Sequence, residues 1–384
     1  MNEIIYNELE YIYIHWPFCP YKCHFCDFVA IASHEEFMQQ YHELLLQEMK
    51  NFSERCTSIK PIRTVYIGGG TPSTWPVDLL AQMFEKLHAQ FLITHDAEIT
   101  LEVNPGTVTE AKLQAWKQAG INRLSIGVQS LNDILLKKLN RHQTTVDVEY
   151  VLSTASLYFE NLSVDFIVGL PEVSFQDWKD TVLHAMKWPI KHISVYFLTV
   201  HEKTPLYFKV QQNQISLPPD DITVDMYEWL VATLQEHGFI RYEISNFAKP
   251  GYESKHNAAY WNRASYKGFG LGACSFNGTY RYRNTKNLNK YLQSQGKYQN
   301  LVEEIEALTD QQIVMEKIML GLRQSRGIDT YDIIYKYTPL QKDKFYQGVE
   351  LLKQKGLLYQ DQSILRLTPQ GYALENEVAV RLFP

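Results

Sequence analysis

Six short runs rich in Val, Ile and Tyr recur along the first 240 residues: YIYIH (11–15), TVYIG (64–68), AEITLEV (97–103), RLSIGV (123–128), LSVDFIV (162–168) and HISVYFL (192–198). β-Branched and aromatic residues suit a pleated, half-buried surface, so each run predicts a strand. Between them lie HEEFMQQYHELLLQEMKNF, VDLLAQMFEKLHAQF, TEAKLQAWKQAG and FQDWKDTVLHAMK, whose apolar residues recur at intervals of three and four. That spacing gives a helix one apolar stripe. Strand then helix, repeated six times, predicts a parallel sheet covered by helices.

The polar residues choose between an open sheet and a curled one. A cysteine-rich loop follows the first strand and GGGTP (68–72) the second, and Glu102, Gln129, Asp165 and Tyr196 fall near the ends of the later ones. Functional residues gathered from the ends of many strands are the mark of a barrel's C-terminal face. The expected fold is therefore α/β, a partial (β/α)6 TIM-like barrel.

After residue 240 the pattern changes to NFAKPGYESKHNAAYWNRASYKGFGLGACSFNGTYRYRN, dense in aromatic, Gly and Asn residues with weak periodicity. It reads as irregular structure across or beside the barrel. From about residue 308, TDQQIVMEKIMLGLR and QKDKFYQGVELLKQKGLL predict helices, and LLYQDQSILRLTPQGY a hairpin with a polar turn. The expected divisions are a barrel over 1–245, a connector over 246–305, and a mainly helical, winged-helix-like domain over 306–384. No longer repeat or low-complexity segment occurs.

A chain of 384 residues exceeds what one small core needs. Its 37 basic and 43 acidic residues leave a net charge of -6, with no general pull toward nucleic acid or anionic lipid. The C-terminal hairpin carries mixed charge and no basic stripe, so nucleic acid is not an expected partner. The start, MNEIIYNELE, lacks the basic and apolar regions of a signal peptide. No run approaches the roughly 20 apolar residues of a spanning helix, although peripheral membrane contact stays open. The expected compartment is the cytoplasm.

Of five cysteines, Cys19, Cys23 and Cys26 crowd into HWPFCPYKCHFCDF (15–28), which does not suit a disulfide framework. Soft thiolates suit zinc or an iron–sulfur cluster. A closed zinc site wants four ligands, and a second cysteine pair is missing. A cubane held by three cysteines keeps one iron open for chemistry. Cys56 has no partner nearby in sequence, and Cys274, in GLGACSFNG, reads as part of a buried small-residue turn.

The C-x3-C-x2-C spacing on a loop after the first strand resembles the radical S-adenosylmethionine (SAM) superfamily. There the open iron of a 4Fe-4S cluster is chelated by the amino and carboxylate groups of SAM. A reduced cluster can then cleave SAM to a 5'-deoxyadenosyl radical. YIHWPFCPYKCHFCDF further resembles the branch that holds oxygen-independent coproporphyrinogen III oxidase and the haem chaperone HemW family, and this likeness spans nearly the whole chain.

The resemblance implies site residues. Gly69, Gly70 and Thr71 would line the SAM amino group with backbone, where side chains must be absent. Taken alone, GGGTP lacks the Lys-Ser/Thr of a phosphate loop and reads as a turn. Glu102 would accept from the amino end or the ribose. Gln129, Arg141 and Asp165 would surround ribose and carboxylate, a guanidinium being suited to the latter. Phe25 would meet the adenine and Tyr13 the cluster-bound cofactor. By its own position Tyr13 is a plain strand residue, and Tyr196 reads as packing.

Two departures separate this chain from the oxidase. The oxidase has a further cysteine two residues after the third, where this chain has Phe28, and a longer N-terminal extension. HNAAYW (256–261) instead matches the HNxxYW motif of the haem-chaperone branch, and imidazole commonly ligates haem iron. His256 is thus a candidate haem ligand, against the plainer account of a histidine hydrogen-bonded in an aromatic-rich connector. Arg281 and Arg283 read as the solvated face of a strand.

Together these features imply a radical-SAM-type haem chaperone that binds a 4Fe-4S cluster, SAM and haem as cargo. It would deliver haem to recipient haem proteins such as respiratory enzymes. The alternatives are radical decarboxylation of coproporphyrinogen III to protoporphyrinogen IX, and radical chemistry on another small substrate. No catalytic side chain is singled out, and whether the chain is an enzyme stays open.

Overall fold

A computed structural model describes Tyr6, residues 8–56 and residues 59–383. Part of the start read for a targeting signal, residues 1–5 and 7, lies outside the described residues. Six strands run parallel and in chain order: β1 (Leu9–Trp16), β2 (Ile59–Gly69), β3 (Ile93–Val103), β4 (Arg123–Gln129), β5 (Asn161–Val168) and β6 (His192–Phe197). They form the expected partial barrel, with helices covering the outside.

Alternation along each strand sorts the side chains. One face carries Ile12, Ile14, Val65, Ile67, Ile99, Leu101, Leu124, Ile126, Val164, Phe166, Ile193 and Val195, all buried in the main core. The other face carries Thr64, Tyr66, Glu98, Thr100, Glu102, Arg123, Ser125, Ser163, Asp165, His192 and Ser194. The barrel is thus apolar toward its helices and polar toward its axis.

The connector differs from the expectation of irregular structure. Beyond β6, β7 (Ile240–Arg241) and β8 (Asn246–Ala248) add antiparallel strands. On the opposite side β9 (Tyr266–Phe269) pairs parallel with β1. It is followed by β10 (Cys274–Phe276), β11 (Tyr280–Asn284) and β12 (Val302–Ala307), all antiparallel. One sheet of twelve strands results, in the order β12-β11-β10-β9-β1-β2-β3-β4-β5-β6-β8-β7. These added strands are short, and β9 contains a glycine whose added Cβ would lie 2.1 Å from the Cys274 carbonyl oxygen. β9 and β10, at four and three residues, are too brief to show a period of two, whereas β11 carries the alternation that Arg281 and Arg283 suggested. Cys274 is exposed on β10, not buried in a turn.

HNAAYW lies on a short helix, Lys255–Trp261. Its first turn is seated on Glu98, which accepts from the backbone N–H groups of Lys255 and His256 (3.0 and 3.1 Å) and from the Ser254 hydroxyl (3.3 Å). A carboxylate at a helix N-terminus satisfies orphan donors and complements the helix dipole.

A second core lies further on, with Ile318, Leu322, Phe345, Leu365, Val378 and Leu382 at its centre. It is built from helices Asp310–Leu322, Pro339–Gln354 and Glu375–Leu382 on a small sheet of β13 (Ile328–Asp329), β14 (Leu358–Asp361) and β15 (Ile364–Leu367). β14 and β15 form the expected hairpin. β12 continues the large sheet across the expected boundary at 305/306. Arg281 pairs with Glu316 (2.5 Å) and Arg283 with Glu304, so both arginines are engaged on β11.

Glu48, on helix Met38–Ser53, ties the added strands to the barrel. It is 3% exposed and accepts from Lys267 (3.3 Å), Asn284 (2.8 Å), the Gly270 N–H (2.9 Å) and Tyr291 (2.9 Å). Burial lowers the Lys267 pKa, and the Glu48 carboxylate opposes that shift. Removing one partner of such a pair leaves the other buried and uncompensated. Glu48→Ala is therefore expected to cost about 3–5 kcal/mol, read as a lower midpoint in chemical denaturation.

Candidate functional site

The loop after β1 is held by backbone bonds on both sides. The N–H of Gly70 donates to Trp16 (2.8 Å), that of Thr71 to Phe18 (2.9 Å), and that of Ile31 to Pro17 (2.8 Å). Further round, the N–H of His24 donates to Leu139 (2.9 Å) and the Asn140 amide to Lys22 (2.9 Å). Phe25 packs against Leu135, Leu139, Leu170 and Leu206. Gly70 shows how tight the fit is. A Cβ there would lie 2.4 Å from the Pro17 carbonyl oxygen and 3.0 Å from Cys19 Sγ.

Tyr13 and His15 secure the outgoing end of the loop. The Val29 carbonyl can only accept, so His15 Nε2 donates to it (2.8 Å) and Nδ1 accepts from the Tyr13 hydroxyl (2.9 Å). Burial lowers the His15 pKa to about 4, which keeps the ring neutral in this role. Tyr13 stacks on Tyr66 (6.1 Å between centroids) and is not among the residues lining the cavity.

That cavity, of about 610 Å³, opens at the C-terminal ends of the strands. Cys19, Cys23 and Cys26 stand at its rim, and Phe25, Gly69, Gly70, Thr71, Glu102, Gln129, Arg141 and Asp165 line it. Thus the residues expected to hold SAM, apart from Tyr13, converge.

Their geometry follows from local structure. Glu102 accepts from Tyr66 (2.9 Å) and from the Gly69 N–H (3.0 Å), yet burial pushes its pKa up to about 7. Asp165 accepts from Ser125 (3.0 Å) and is also raised by burial. Gln129 has a φ of 67° at an irregularity in the β4–β5 pairing, a left-handed conformation uncommon outside glycine. Arg141 donates to the Gly127 carbonyl (2.5 Å) and to Gln143 (2.9 Å), and its Nη1 stands 3.7 Å from Cys23 Sγ.

His256 departs from its expected place. It is 1% exposed, its Nδ1 bonded to Thr64 (2.6 Å) and its Nε2 to Tyr260 (2.8 Å), and Tyr66 stacks on its face (5.1 Å). Burial lowers its pKa to about 3. Both nitrogens are occupied and it does not line the cavity, so in this conformation it holds Tyr66 beneath Glu102 and offers iron no lone pair. Its neighbour Asn257 does reach the cavity.

The sequence reading missed the cavity's lower wall, formed by Tyr66, Arg123, Ser125, Ser194 and Asn257. Counting back two positions from Gly68, Gly127 and Tyr196 reaches Tyr66, Ser125 and Ser194. Alternation could therefore have found these three.

The three thiols fit a cluster. Burial raises the Cys19 pKa to about 11 and also raises that of Cys26, so metal must displace protons there. The Thr71 hydroxyl reaches Cys19 Sγ (3.3 Å), and the missing Cβ of Gly70 leaves room beside that sulfur. Among the described residues no three His, Cys, Asp or Glu converge as a single-ion site requires. Ligands serving three separate irons of a cubane need not do so.

A three-cysteine loop over a polar cavity, at the strand ends of a six-stranded partial barrel, defines a radical-SAM-type site. The Radical SAM superfamily matches residues 13–185 and the HemN C-terminal domain residues 308–374. That superfamily implies a 4Fe-4S cluster and SAM.

The chain belongs to the HemW family. It is 34% identical to the "Heme chaperone HemW" of Bacillus subtilis, covering 95% of this chain and 97% of that one. Identity to the protein of the same name from Lactococcus lactis is 33%, over 95% of each. The mouse mitochondrial "Radical S-adenosyl methionine domain-containing protein 1" is 30% identical over 97% of this chain and 87% of that one. The structure of Escherichia coli coproporphyrinogen III oxidase (HemN) matches with a TM-score of 0.84 at 23% identity, covering 99% of this chain and 90% of that one, and shows the shared fold.

Gly70→Ala is expected to lower bound iron and acid-labile sulfide roughly tenfold or more, because its Cβ meets backbone that cannot yield. Cys19→Ala, Cys23→Ala and Cys26→Ala should do the same, while Cys56→Ala and Cys274→Ala retain the metal. Metal analysis after anaerobic reconstitution, with circular dichroism to check the fold, measures this.

Proposed function

We propose that the chain binds a 4Fe-4S cluster through Cys19, Cys23 and Cys26, holds SAM, and carries haem as cargo to recipient haem proteins such as respiratory enzymes. The observation that carries the cofactor half is the shared cavity, with three thiols at its rim and the backbone of Gly69, Gly70 and Thr71 beside them. Glu102, Gln129, Arg141 and Asp165 would hold SAM's polar groups and Phe25 would meet its adenine. When bound, the cluster and SAM supply one-electron chemistry. The haem half is supported by the names of the relatives and by Phe28 standing where the oxidase has a further cysteine.

The residues divide the work by charge. Glu102 and Asp165 present oxygens to a cationic or hydroxylated ligand, while Arg141 presents a guanidinium near Cys23. The Glu102–Gly69 bond couples the carboxylate to the glycine loop, so the two move as a unit. The expected setting is the cytoplasm, and among the described residues no helix is long and apolar enough to cross a membrane.

Oxygen-independent coproporphyrinogen oxidation is the second reading, favoured by the likeness of fold. Haemin titration of the anaerobically reconstituted protein, followed at the Soret band, should saturate near one equivalent. The same preparation, given coproporphyrinogen III, SAM, a reductant and an electron acceptor, should form no protoporphyrinogen. Turnover without haemin saturation would reverse the assignment.

The raised pKa of Glu102 gives a pH test. Its folded value of about 7 exceeds the ordinary 4.5, so the fold favours the protonated acid. The cofactor-free protein therefore loses stability from this group as pH rises from about 4.5 to about 7. An amine N–H or ribose hydroxyl donating to Glu102 prefers the carboxylate to the acid, so SAM affinity is expected to rise with pH up to about 7 and then level off. Glu102→Gln should flatten that profile and weaken binding by roughly tenfold or more, as loss of a charge-assisted hydrogen bond does. Calorimetry across pH 5.5 to 8, as a rough span around the ionisation, reads both.

A further inference from the structure

The cavity mouth holds a histidine that the cofactor face leaves unused. His201 lies in the loop after β6 and lines the cavity with Lys22, Asp27, Phe28 and Phe197. Its backbone is fixed, since its carbonyl accepts from both the N–H (3.3 Å) and the hydroxyl (2.7 Å) of Thr204, which caps helix Pro205–Gln211. The ring has a carboxylate neighbour. Asp27 Oδ2 stands 3.4 Å from His201 Nδ1, with the imidazole 42% exposed. A carboxylate beside one ring nitrogen draws the proton there and turns the other nitrogen's lone pair outward, the usual arrangement behind a metal-ligating histidine. Among the described residues Nε2 has no hydrogen-bond partner.

The surroundings suit a flat apolar ligand with anionic edges. Phe28 is 67% exposed and Phe197 43%, so two phenyl rings present apolar area at the mouth. Both line the cavity with that pair, Phe28 next to Asp27 on the cysteine loop and Phe197 at the end of β6, four residues before His201. Lys22 is exposed on the cysteine loop and offers a cation. Other histidines near the loop do not line the cavity and turn one nitrogen to other partners: His24 Nδ1 to the Lys138 carbonyl (3.1 Å) and Lys209 (3.2 Å), His142 Nε2 to Asn140 (2.9 Å). His201 is the one histidine among the lining residues.

We propose that haem docks at the cavity mouth against Phe28 and Phe197, with His201 Nε2 as axial ligand to its iron and Lys22 facing a propionate. This rests on the haem-cargo reading and gives it a site distinct from His256. It places haem outside the cofactor face, so that cluster, SAM and cargo need not compete for the same side chains. No bond to carbon forms or breaks; the step is ligation of iron by a neutral imidazole.

The test is a haemin titration of the cluster-loaded full chain, comparing wild type with His201→Ala and Phe28→Ala. His201→Ala should shift the Soret maximum and weaken binding roughly tenfold or more, and added imidazole should restore the wild-type spectrum. Phe28→Ala, at an exposed position, should weaken binding several-fold without moving the maximum. Wild type that saturates while both variants match it in affinity and spectrum would overturn the site and leave the haem reading standing. Wild type that never saturates would overturn both. Iron content measured on every sample identifies a variant that has lost its cluster; should His201→Ala do so, the Phe28→Ala affinity decides.

Discussion

The approach of two backbones at Gly70 governs the rest of the site. The second strand's end passes so close to Pro17 that no side chain fits between them, and two N–H groups of the glycine loop donate to the carbonyls of Trp16 and Phe18. The cysteine loop therefore cannot shift independently of Gly69, Gly70 and Thr71. Through the Gly69 N–H that lock extends to Glu102, and through Tyr66 it reaches the barrel axis. A cluster site and a cofactor face that must face one another are thereby positioned by main chain. Main chain is a stiffer support than paired side chains.

The polar axis is the second consequence of leaving a hollow. A barrel of this size normally fills its centre with branched apolar side chains in layers. Here the centre carries buried acids, a buried arginine and two histidines whose pKa values burial lowers. Arg123, 1% exposed, sits among Glu98, Asp165, Tyr66 and Tyr242, and the carboxylates favour its ionised form against the cost of burial. The Lys255–Trp261 helix closes this axis. Its N-terminus rests on Glu98, and His256 links Thr64 to Tyr260. In this structure the histidine of HNAAYW packs the layer beneath Glu102, with both ring nitrogens used, while Asn257 of the same motif reaches the cavity.

Much of this was legible in the sequence because it depends on local spacing. Six runs with strand propensity, joined by helical periodicity, gave the barrel; three cysteines in eight positions marked the rim. The cofactor residues at strand ends were carried by resemblance, and all but Tyr13 converge. What stayed hidden depends on tertiary contact. Of β9 to β12 only β9 pairs with β1, and each later strand pairs with the one before it, so this side of the sheet forms by tertiary pairing that local spacing does not show. Tyr13 and His256 fall on the right elements but face a layer below the cavity, a distinction that a motif match cannot supply. His201 carried no motif, and its significance comes from Asp27, 174 positions earlier in the chain and 3.4 Å away in space.

The shared fold and the separate layers bear on how one scaffold can serve an enzyme and a carrier. The parts that hold cluster and SAM are fixed by backbone contacts and interior carboxylates, which leave little room for variation. The mouth is different: Phe28, Phe197 and His201 lie at loop and strand-end positions, where a side chain can change without disturbing a buried partner. A cysteine at position 28 would present a small reactive thiol there, whereas Phe28 presents a broad apolar face. Under the proposed haem-carrying function, that face would favour retention of a flat ligand over reaction with it. The locked layer below does not depend on which side chain stands at position 28.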